Sequence, residues 1–211
     1  MNMKREKTLN KIYRHFEERD PVLFSVLSGM PLELLQKEKK TDIYFSKLCR
    51  EIISQQLGGK AAAAIVGRFS ALFPGERATP ENVLGFSEHA LRNVGMSWAK
   101  ARSVRDLAAK SAARELNLQM IPALGDEAAI AELMKVKGIG RWTAEMFLIF
   151  TLGREDVFSF GDLGLRKGLA AIYGKRKIAT PRSIARITMA WAPYRSYGSL
   201  AVWHVADNAQ K

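Results

Sequence analysis

The chain has 211 residues, a net charge of +12, a hydrophobic fraction of 47% and one cysteine, Cys49. A single cysteine excludes an internal disulfide and any metal or iron–sulfur site made only of cysteines, so Cys49 is expected to pack inside a helix. No apolar run is long enough to cross a bilayer and the charged N-terminus lacks a signal-peptide core, so we expect a cytosolic protein without a membrane partner, whose positive charge favours nucleic acid.

Nearly every segment has the apolar spacing or the capping residues that are typical of an α-helix. In chain order, the predicted helices are 8–19, 41–56, 61–73, one starting at Thr79-Pro80, a short one capped by Ser87, 97–116, one from Asp126 to Val136, one carrying Trp142, one opened by Asp162, one starting at Thr180-Pro181, and 196–206. Residues 27–35 are apolar but contain Gly29 and Pro31, which predicts a bent connection. Strand-like alternation is weak throughout, and we therefore predict an all-α fold.

The helix that starts at Ser97 carries several basic residues on its polar side. They are Lys100, Arg102, Arg105 and Lys110. A solvated helix face and a face turned towards DNA fit this pattern equally well, and the charges alone do not separate the two interpretations.

Two glycines, Gly138 and Gly140, flank the apolar Ile139 between two amphipathic helices. Glycine lets a backbone turn sharply and approach a ligand closely. The free N–H groups at the start of the second helix, together with the positive end of its dipole, suit a phosphate group. Short turns with two glycines are common, so on this evidence alone a structural corner between helices is the simpler interpretation.

Four further segments are informative when they are taken together. They are Val-Lys-Gly-Ile-Gly-Arg-Trp-Thr-Ala at 136–144, Val-Phe-Ser-Phe-Gly-Asp-Leu-Gly at 157–164, Ile-Ile-Ser-Gln-Gln at 52–56 with Lys-Ala-Ala at 60–62, and Trp-Ala-Pro-Tyr-Arg-Ser-Tyr at 191–197 with Trp203. Together they resemble the helix–hairpin–helix DNA glycosylase superfamily, in particular its alkylpurine (3-methyladenine) DNA glycosylases. The first resembles the family's hairpin, the second the loop that presents its catalytic aspartate, and the third its DNA-intercalating loop. The resemblance extends over roughly residues 44–203.

This resemblance implies a helix–hairpin–helix glycosylase fold with two helical lobes around a DNA-binding cleft, all within a single glycosylase domain, residues 1–211. The central lobe is expected at about 41–154, with the hairpin at its end, and the second lobe at about 1–40 plus 155–211. One residue departs from the family pattern, because Gly161 stands where relatives often have a second acid. Asp162 is therefore the only acid in its loop.

By resemblance, Asp162 is the catalytic residue. An ionised carboxylate stabilises the positive charge that develops on the sugar when the bond to the base breaks. Helix propensity alone assigns Asp162 a different role, as the N-cap of the helix that follows it. The two roles are compatible, since the N–H groups of a helix start stabilise a negative charge.

Trp142, Met146 and Trp203 occupy positions that line the base pocket in the family. A base alkylated on a ring nitrogen carries a positive charge, which an aromatic face attracts by about 0.5–2 kcal/mol. Relatives have an aromatic residue where this chain has Met146, and the thioether is a more adaptable wall. For both tryptophans, an ordinary place in the core is the alternative.

A base inside a duplex must be rotated out of the stack before an enzyme can reach its glycosidic bond. The resemblance assigns Gln56 as the wedge that fills the gap, with Leu57 as the second choice. The hairpin residues expected to contact phosphate are Lys137, Gly138, Ile139, Gly140, Arg141 and Thr143. No cofactor or metal is implied, except that hairpin carbonyls of this family can hold a monovalent cation, which the residues here neither support nor exclude.

Relatives that cut the DNA strand carry a lysine nucleophile at the position of Trp142. Tryptophan cannot form a Schiff base, so we predict a monofunctional glycosylase that hydrolyses the N-glycosidic bond of alkylated purines, of the 3-methyladenine and 7-methylguanine type, in base-excision repair. The expected partner is double-stranded DNA with alkylated bases, and the expected state is a monomer in the cytoplasm (bacterial or archaeal nucleoid) or the nucleus. The alternatives are a non-enzymatic helix–hairpin–helix DNA-binding module and a glycosylase for another class of lesion.

Overall fold

The computed structural model describes residues 3–175 and 180–208, and in that part of the chain every regular element is a helix. The α-helices are α1 Met3–Arg19, α2 Pro21–Ser28, α3 Tyr44–Ser54, α4 Gly59–Ser70, α5 Pro80–Leu84, α6 Glu88–Asn93, α7 Trp98–Ala112, α8 Asp126–Leu133, α9 Arg141–Phe150, α10 Leu163–Tyr173, α11 Pro181–Met189 and α12 Arg195–Asn208. The prediction of an all-α fold is confirmed. None of the described helices combines the length and the apolar character that crossing a membrane requires.

Helix starts follow the predicted capping residues closely. Each of five residues accepts a hydrogen bond on its side chain from a backbone N–H three residues later: Thr79, Ser87, Ser97, Asp162 and Thr180. A side-chain oxygen at this position satisfies an N–H that has no partner within the helix. The predicted starts are therefore confirmed for α5, α6, α7, α10 and α11.

Several predicted boundaries were wrong. The first helix begins at Met3 instead of Thr8, and α4 spans Gly59–Ser70 instead of 61–73. Residues 41–43 form a 3₁₀ turn, and α3 begins at Tyr44 without a side-chain cap. The bent connection begins only after α2, which extends to Ser28. The helix from Ser97 ends at Ala112 instead of Leu116, because Arg114 adopts a positive φ of 58° that stops helical propagation.

The helix before the hairpin also ends early. It was predicted to reach Val136, but α8 ends at Leu133. From there the chain continues in tight turns, in which the N–H of Val136 bonds to Leu133 O and the N–H of Ile139 bonds to Val136 O. Val136 and Ile139 are nonetheless buried, so the turn itself contributes apolar side chains to the core.

The described residues divide into two units. The central unit comprises residues 38–152, and the terminal unit comprises residues 3–37, 153–175 and 180–208. In the central unit, α3 packs against α4, α7 and α9. The apolar face of α3 is buried, and its members are Phe45, Leu48, Cys49, Ile52 and Ile53. Burial raises the pKa of the Cys49 thiol well above its usual value, so Cys49 is an unreactive core residue.

The core of the terminal unit is formed by α1, α2, α10 and α12 around the buried ring of Trp191. The helices α10 and α12 approach closely at Gly168, where a Cβ atom would lie only 2.3 Å from the carbonyl oxygen of Val202. A glycine is therefore required at this crossing. The close packing also brings together the helices of two predicted site residues, because Asp162 caps α10 and Trp203 lies on α12.

A buried carboxylate connects distant parts of the terminal unit. Asp20 accepts the N–H of Leu23 at 3.1 Å, the indole N–H of Trp191 at 2.8 Å and the hydroxyl of Tyr173 at 2.5 Å. Burial and the neighbouring Asp20 carboxylate raise the pKa of the Tyr173 hydroxyl, which therefore stays protonated and continues to donate.

Replacing Tyr173 tests how much its hydrogen bond to Asp20 contributes to the stability of the fold. Tyr173→Phe keeps the ring and removes one donor to a buried carboxylate, so the free energy of unfolding should fall by about 1–2 kcal/mol. Urea unfolding measures it, with Tyr13→Phe as the matched control, because Tyr13 lies in the same unit and its hydroxyl makes no hydrogen bond among the described residues. Equal losses in the two variants would mean that the Asp20 contact contributes nothing specific.

Candidate functional site

The glycine turn joins α8 to α9 as a helix–hairpin–helix. Gly138 has a φ of +82°, and Gly140 is extended and forms the N-cap of α9. Gly140 O accepts the N–H of Ala144. No side chain caps the start of α9, whose first N–H groups point along the helix axis away from its own carbonyls. The arrangement can therefore bind an anion by backbone groups alone.

The side chains of the predicted phosphate contacts differ in accessibility. Lys137 and Arg141 are exposed, whereas Ile139 and Thr143 are buried. The guanidinium of Arg141 pairs with Glu127 at 2.5 Å and with Glu145 at 2.9 Å, so two carboxylates offset its charge. In this geometry Thr143 can offer phosphate only its backbone N–H, and the N–H of Ile139 is already bonded to Val136 O. Lys137 is the more available cation.

The predicted wedge lies in the turn between α3 and α4. Gln56 is exposed with a φ of +56°, and Leu57 is 36% exposed. A positive φ is uncommon for a residue other than glycine, and it persists only where the neighbouring structure holds it. The preceding residue, Gln55, donates hydrogen bonds to the hairpin at Gly138 O and Thr143 Oγ1.

The predicted pocket residues are distributed over two helices. Trp142 is 44% exposed in the first turn of α9, and Met146 follows it one turn later, 5% exposed. Trp203 is half-buried on α12 in the terminal unit. The large exposed area of Trp142 is unusual for an indole ring, because most tryptophans bury most of their surface. Trp142 is therefore not the buried core residue of the alternative interpretation.

Asp162 caps α10 and is 8% exposed. Its Oδ1 accepts the N–H of Leu165 at 2.7 Å and the indole N–H of Trp203 at 3.1 Å. Two N–H donors stabilise the negative charge and fix the orientation of the carboxylate. Phe160 and Leu163, the exposed apolar residues on either side of Asp162, are 48% and 70% exposed. The contact with Trp203 was missed in the sequence, because no local signal connects residues 41 positions apart.

The basic side of α7 is mainly structural. Lys100 and Arg105 donate to backbone carbonyl groups, and Lys110 pairs with Asp106 at 2.7 Å. Arg102 is exposed. Of the two interpretations of this face, the DNA-facing one is therefore left with Arg102 alone.

An ion pair in the terminal unit fixes Arg195. Its guanidinium donates to Asp156 through Nε at 2.7 Å and Nη2 at 2.8 Å. Such two-point pairs fix both side chains. The pair lies at the start of α12, the helix that carries Trp203.

Comparisons with known proteins agree with this geometry. Residues 49–193 match the family of HhH-GPD superfamily base excision DNA repair proteins. DNA-3-methyladenine glycosylase 1 of Schizosaccharomyces pombe is 34% identical over 167 residues, which cover 78% of this chain and 73% of that protein. DNA-3-methyladenine glycosylase 2 of Escherichia coli is 32% identical over 172 residues, 76% of this chain and 57% of that protein.

Solved structures are similar over almost the entire chain. The crystal structure of a DNA-3-methyladenine glycosidase from Bacillus halodurans has a TM-score of 0.81 at 32% identity, covering 94% of this chain and 90% of that one. The resemblance to 3-methyladenine glycosylases that was inferred from the four segments is thus confirmed. The chain belongs to the HhH-GPD superfamily of base excision DNA repair proteins.

Proposed function

We propose that this protein is a monofunctional DNA glycosylase that hydrolyses the N-glycosidic bond of alkylated purines, of the 3-methyladenine and 7-methylguanine type, in base-excision repair. The observation that carries the proposal is the oriented carboxylate of Asp162, held by the N–H groups of Leu165 and Trp203. The family and the names of its relatives support the proposal. One similar structure is that of a 3-methyladenine DNA glycosylase from Schizosaccharomyces pombe in complex with abasic DNA. It has a TM-score of 0.73 at 30% identity, and the match covers 92% of this chain and 95% of that one.

Asp162 is assigned to electrostatic stabilisation. As the base departs, positive charge develops on the deoxyribose, and a fixed carboxylate nearby lowers the energy of that oxocarbenium-like state. The same charge orients the water molecule that attacks the sugar. A purine alkylated on a ring nitrogen already carries a positive charge and leaves readily, so the reaction needs no strong general acid.

Selection of the damaged base is assigned to Trp142, Met146 and Trp203. The exposed face of Trp142 suits cation–π stacking on a positively charged purine. Met146 contributes a polarizable apolar surface. Trp203 presents its indole N–H to Asp162, so we assign it a second role in orienting the carboxylate.

DNA binding is assigned to the central unit. The hairpin residues 137–141 and Thr143 bind a phosphate group through the N–H groups at the start of α9 and the ammonium group of Lys137. Gln56, with Leu57 beside it, enters the duplex when the base rotates out. We further propose that the protein acts as a monomer on double-stranded DNA, in the nucleoid of a bacterial or archaeal cytoplasm or in a nucleus. It requires no cofactor, and the hairpin carbonyls are the place where a monovalent cation can bind.

The reaction type can be tested by analysing both products. Wild-type protein incubated with methylated duplex DNA should release free alkylated purines, identified by mass spectrometry, and leave the strand intact until alkali is added. Borohydride should trap no covalent complex, because Trp142 provides no amine for a Schiff base. DNA binding without base release would favour the non-enzymatic DNA-binding module, and release of only oxidised or mismatched bases would favour the other lesion class.

Trp203→Phe separates the two roles assigned to Trp203. Phenylalanine keeps an aromatic ring but removes the N–H donor to Asp162, a loss that should slow base release roughly tenfold. Single-turnover rates on a 7-methylguanine duplex measure the effect. A rate unchanged from wild type would mean that the indole N–H does not contribute to catalysis.

A further inference from the structure

We propose that Gln55 and Lys100 are positioning residues that fix the wedge loop, residues 53–57, to the hairpin, so that Gln56 is held in one place before the duplex opens. This inference rests on the proposed function, because it assumes that Gln56 enters DNA. The sequence placed Gln55 in the DNA-intercalating segment and Lys100 on the polar side of its helix, but it assigned a positioning role to neither.

The side chain of Gln55 connects the wedge loop directly to the hairpin. Its Nε2 donates to Gly138 O at 2.9 Å and to Thr143 Oγ1 at 3.0 Å. An amide nitrogen has two hydrogens, and these two bonds use both of them. The backbone N–H of Gln55 also bonds to Glu51 O at 3.2 Å, so the main chain and the side chain are both fixed.

Lys100 holds the other side of the same loop. Its Nζ donates to Ile53 O at 2.8 Å and to Gln55 O at 2.7 Å. Ile53 lies in the last turn of α3, which ends at Ser54, and Gln55 is its C-cap. The ammonium group is therefore at the negative end of the helix dipole, where a cation is favourable. Partial burial lowers the pKa of the Lys100 amine.

Gln56, the proposed wedge, directly follows Gln55 in the loop. Its own side chain makes no hydrogen bond among the described residues, and its φ of +56° places it in the left-handed region. The next N–H, of Leu57, closes a turn on Ser54 O at 3.2 Å. The wedge is thus an exposed side chain on a strained backbone, and the strain is held in place by Gln55 and Lys100.

Fixing the loop in advance has a kinetic consequence. A mobile loop must lose conformational entropy each time it enters DNA, whereas an anchored loop has lost it on folding. The gain in the rate of base release from an anchored loop should be largest when the lesion is in a stable base pair, because the wedge then has to compensate for lost pairing and stacking. It should be small for a mispaired lesion, which leaves the stack at little cost.

The first test compares two duplexes that each contain one 7-methylguanine, paired with cytosine or mispaired with thymine. Gln55→Leu should lower the single-turnover rate of base release roughly tenfold on the paired duplex and less than about threefold on the mispaired one. Lys100→Met should show the same pattern, and Lys100→Arg, which keeps donors for both carbonyls, should recover most of the rate. Gln119→Leu is the matched control, because Gln119 is exposed in the same unit and its side chain makes no hydrogen bond among the described residues.

Thermal unfolding of each variant shows whether the fold is intact. Equal losses on both duplexes, or no loss on either, would overturn the proposal. Loss confined to the paired duplex would support it, because a merely destabilised protein would be slower on both.

A second measurement does not depend on base release. A duplex with 2-aminopurine next to a stable abasic analogue reports unstacking by the wedge as a change in fluorescence. At saturating protein, Gln55→Leu should reduce the amplitude of this change at least about twofold relative to wild type. An unchanged amplitude would contradict the positioning role, even if wild-type protein released no base and the proposed glycosylase function failed.

Discussion

Asp162→Asn should abolish base release from methylated DNA and leave binding to duplex DNA nearly unchanged. The substitution removes the negative charge that stabilises the sugar cation, so we expect the rate to fall by roughly 10³-fold or more. It should not disturb the fold, because asparagine is as good an N-cap as aspartate and its Oδ1 can still accept from Leu165 and Trp203. The lost function would therefore be due to charge alone.

Two measurements separate catalysis from binding in this variant. Free bases are quantified by mass spectrometry, and the affinity for a duplex with an abasic analogue is measured by fluorescence anisotropy. Asp207→Asn is the matched control, since it neutralises an exposed carboxylate in the same unit. If Asp162→Asn kept more than a small fraction of the rate, another group would have to supply the charge, and Asp162 would be left as a helix cap only.

Local chemistry made much of the fold predictable. A cap such as Thr79, Ser87 or Ser97 bonds to an N–H three residues away, so the sequence contains both partners of the interaction. The buried face of α3 was predictable for the same reason, because helical spacing determines which side chains share a face. Helix ends were less predictable, since they depend on backbone turns such as the positive φ at Arg114.

The contacts that shape the candidate site join residues that are far apart in the sequence. Lys100 reaches carbonyls 45 and 47 residues away, and Gln55 reaches Thr143 across 88 residues. Neither periodicity nor spacing reports such pairs. For the same reason the sequence suggested Arg141 as a phosphate ligand without showing that Glu127 already pairs with it. The resemblance to a family identified the residues, and the structure added which of them are already bonded to each other.

Gly138→Ala is the second substitution expected to have a large effect. At a φ of +82° an alanine is strained, and its Cβ would lie 2.3 Å from Ser103 Oγ and 3.0 Å from Ser103 Cβ. Ser103 cannot simply turn away, because its hydroxyl donates to Ala99 O at 2.9 Å. Strain and overlap together should lower the free energy of unfolding by roughly 2–4 kcal/mol. They should also displace the turn to which we assign phosphate binding, and so weaken DNA binding more than about tenfold.

Gly140→Ala is the control for the folding effect of Gly138→Ala. At Gly140 the backbone is extended and a Cβ would meet nothing within 4 Å, so the cost should be below about 1 kcal/mol. The double variant Gly138→Ala/Ser103→Ala separates steric overlap from backbone strain, because it removes the Ser103 oxygen but keeps the positive φ at residue 138. Its free energy of unfolding should recover only in part. Urea unfolding and anisotropy on duplex DNA measure both properties. If Gly138→Ala proved no less stable than Gly140→Ala, the turn would tolerate a side chain, and close packing against α7 would not be what fixes the shape of the hairpin.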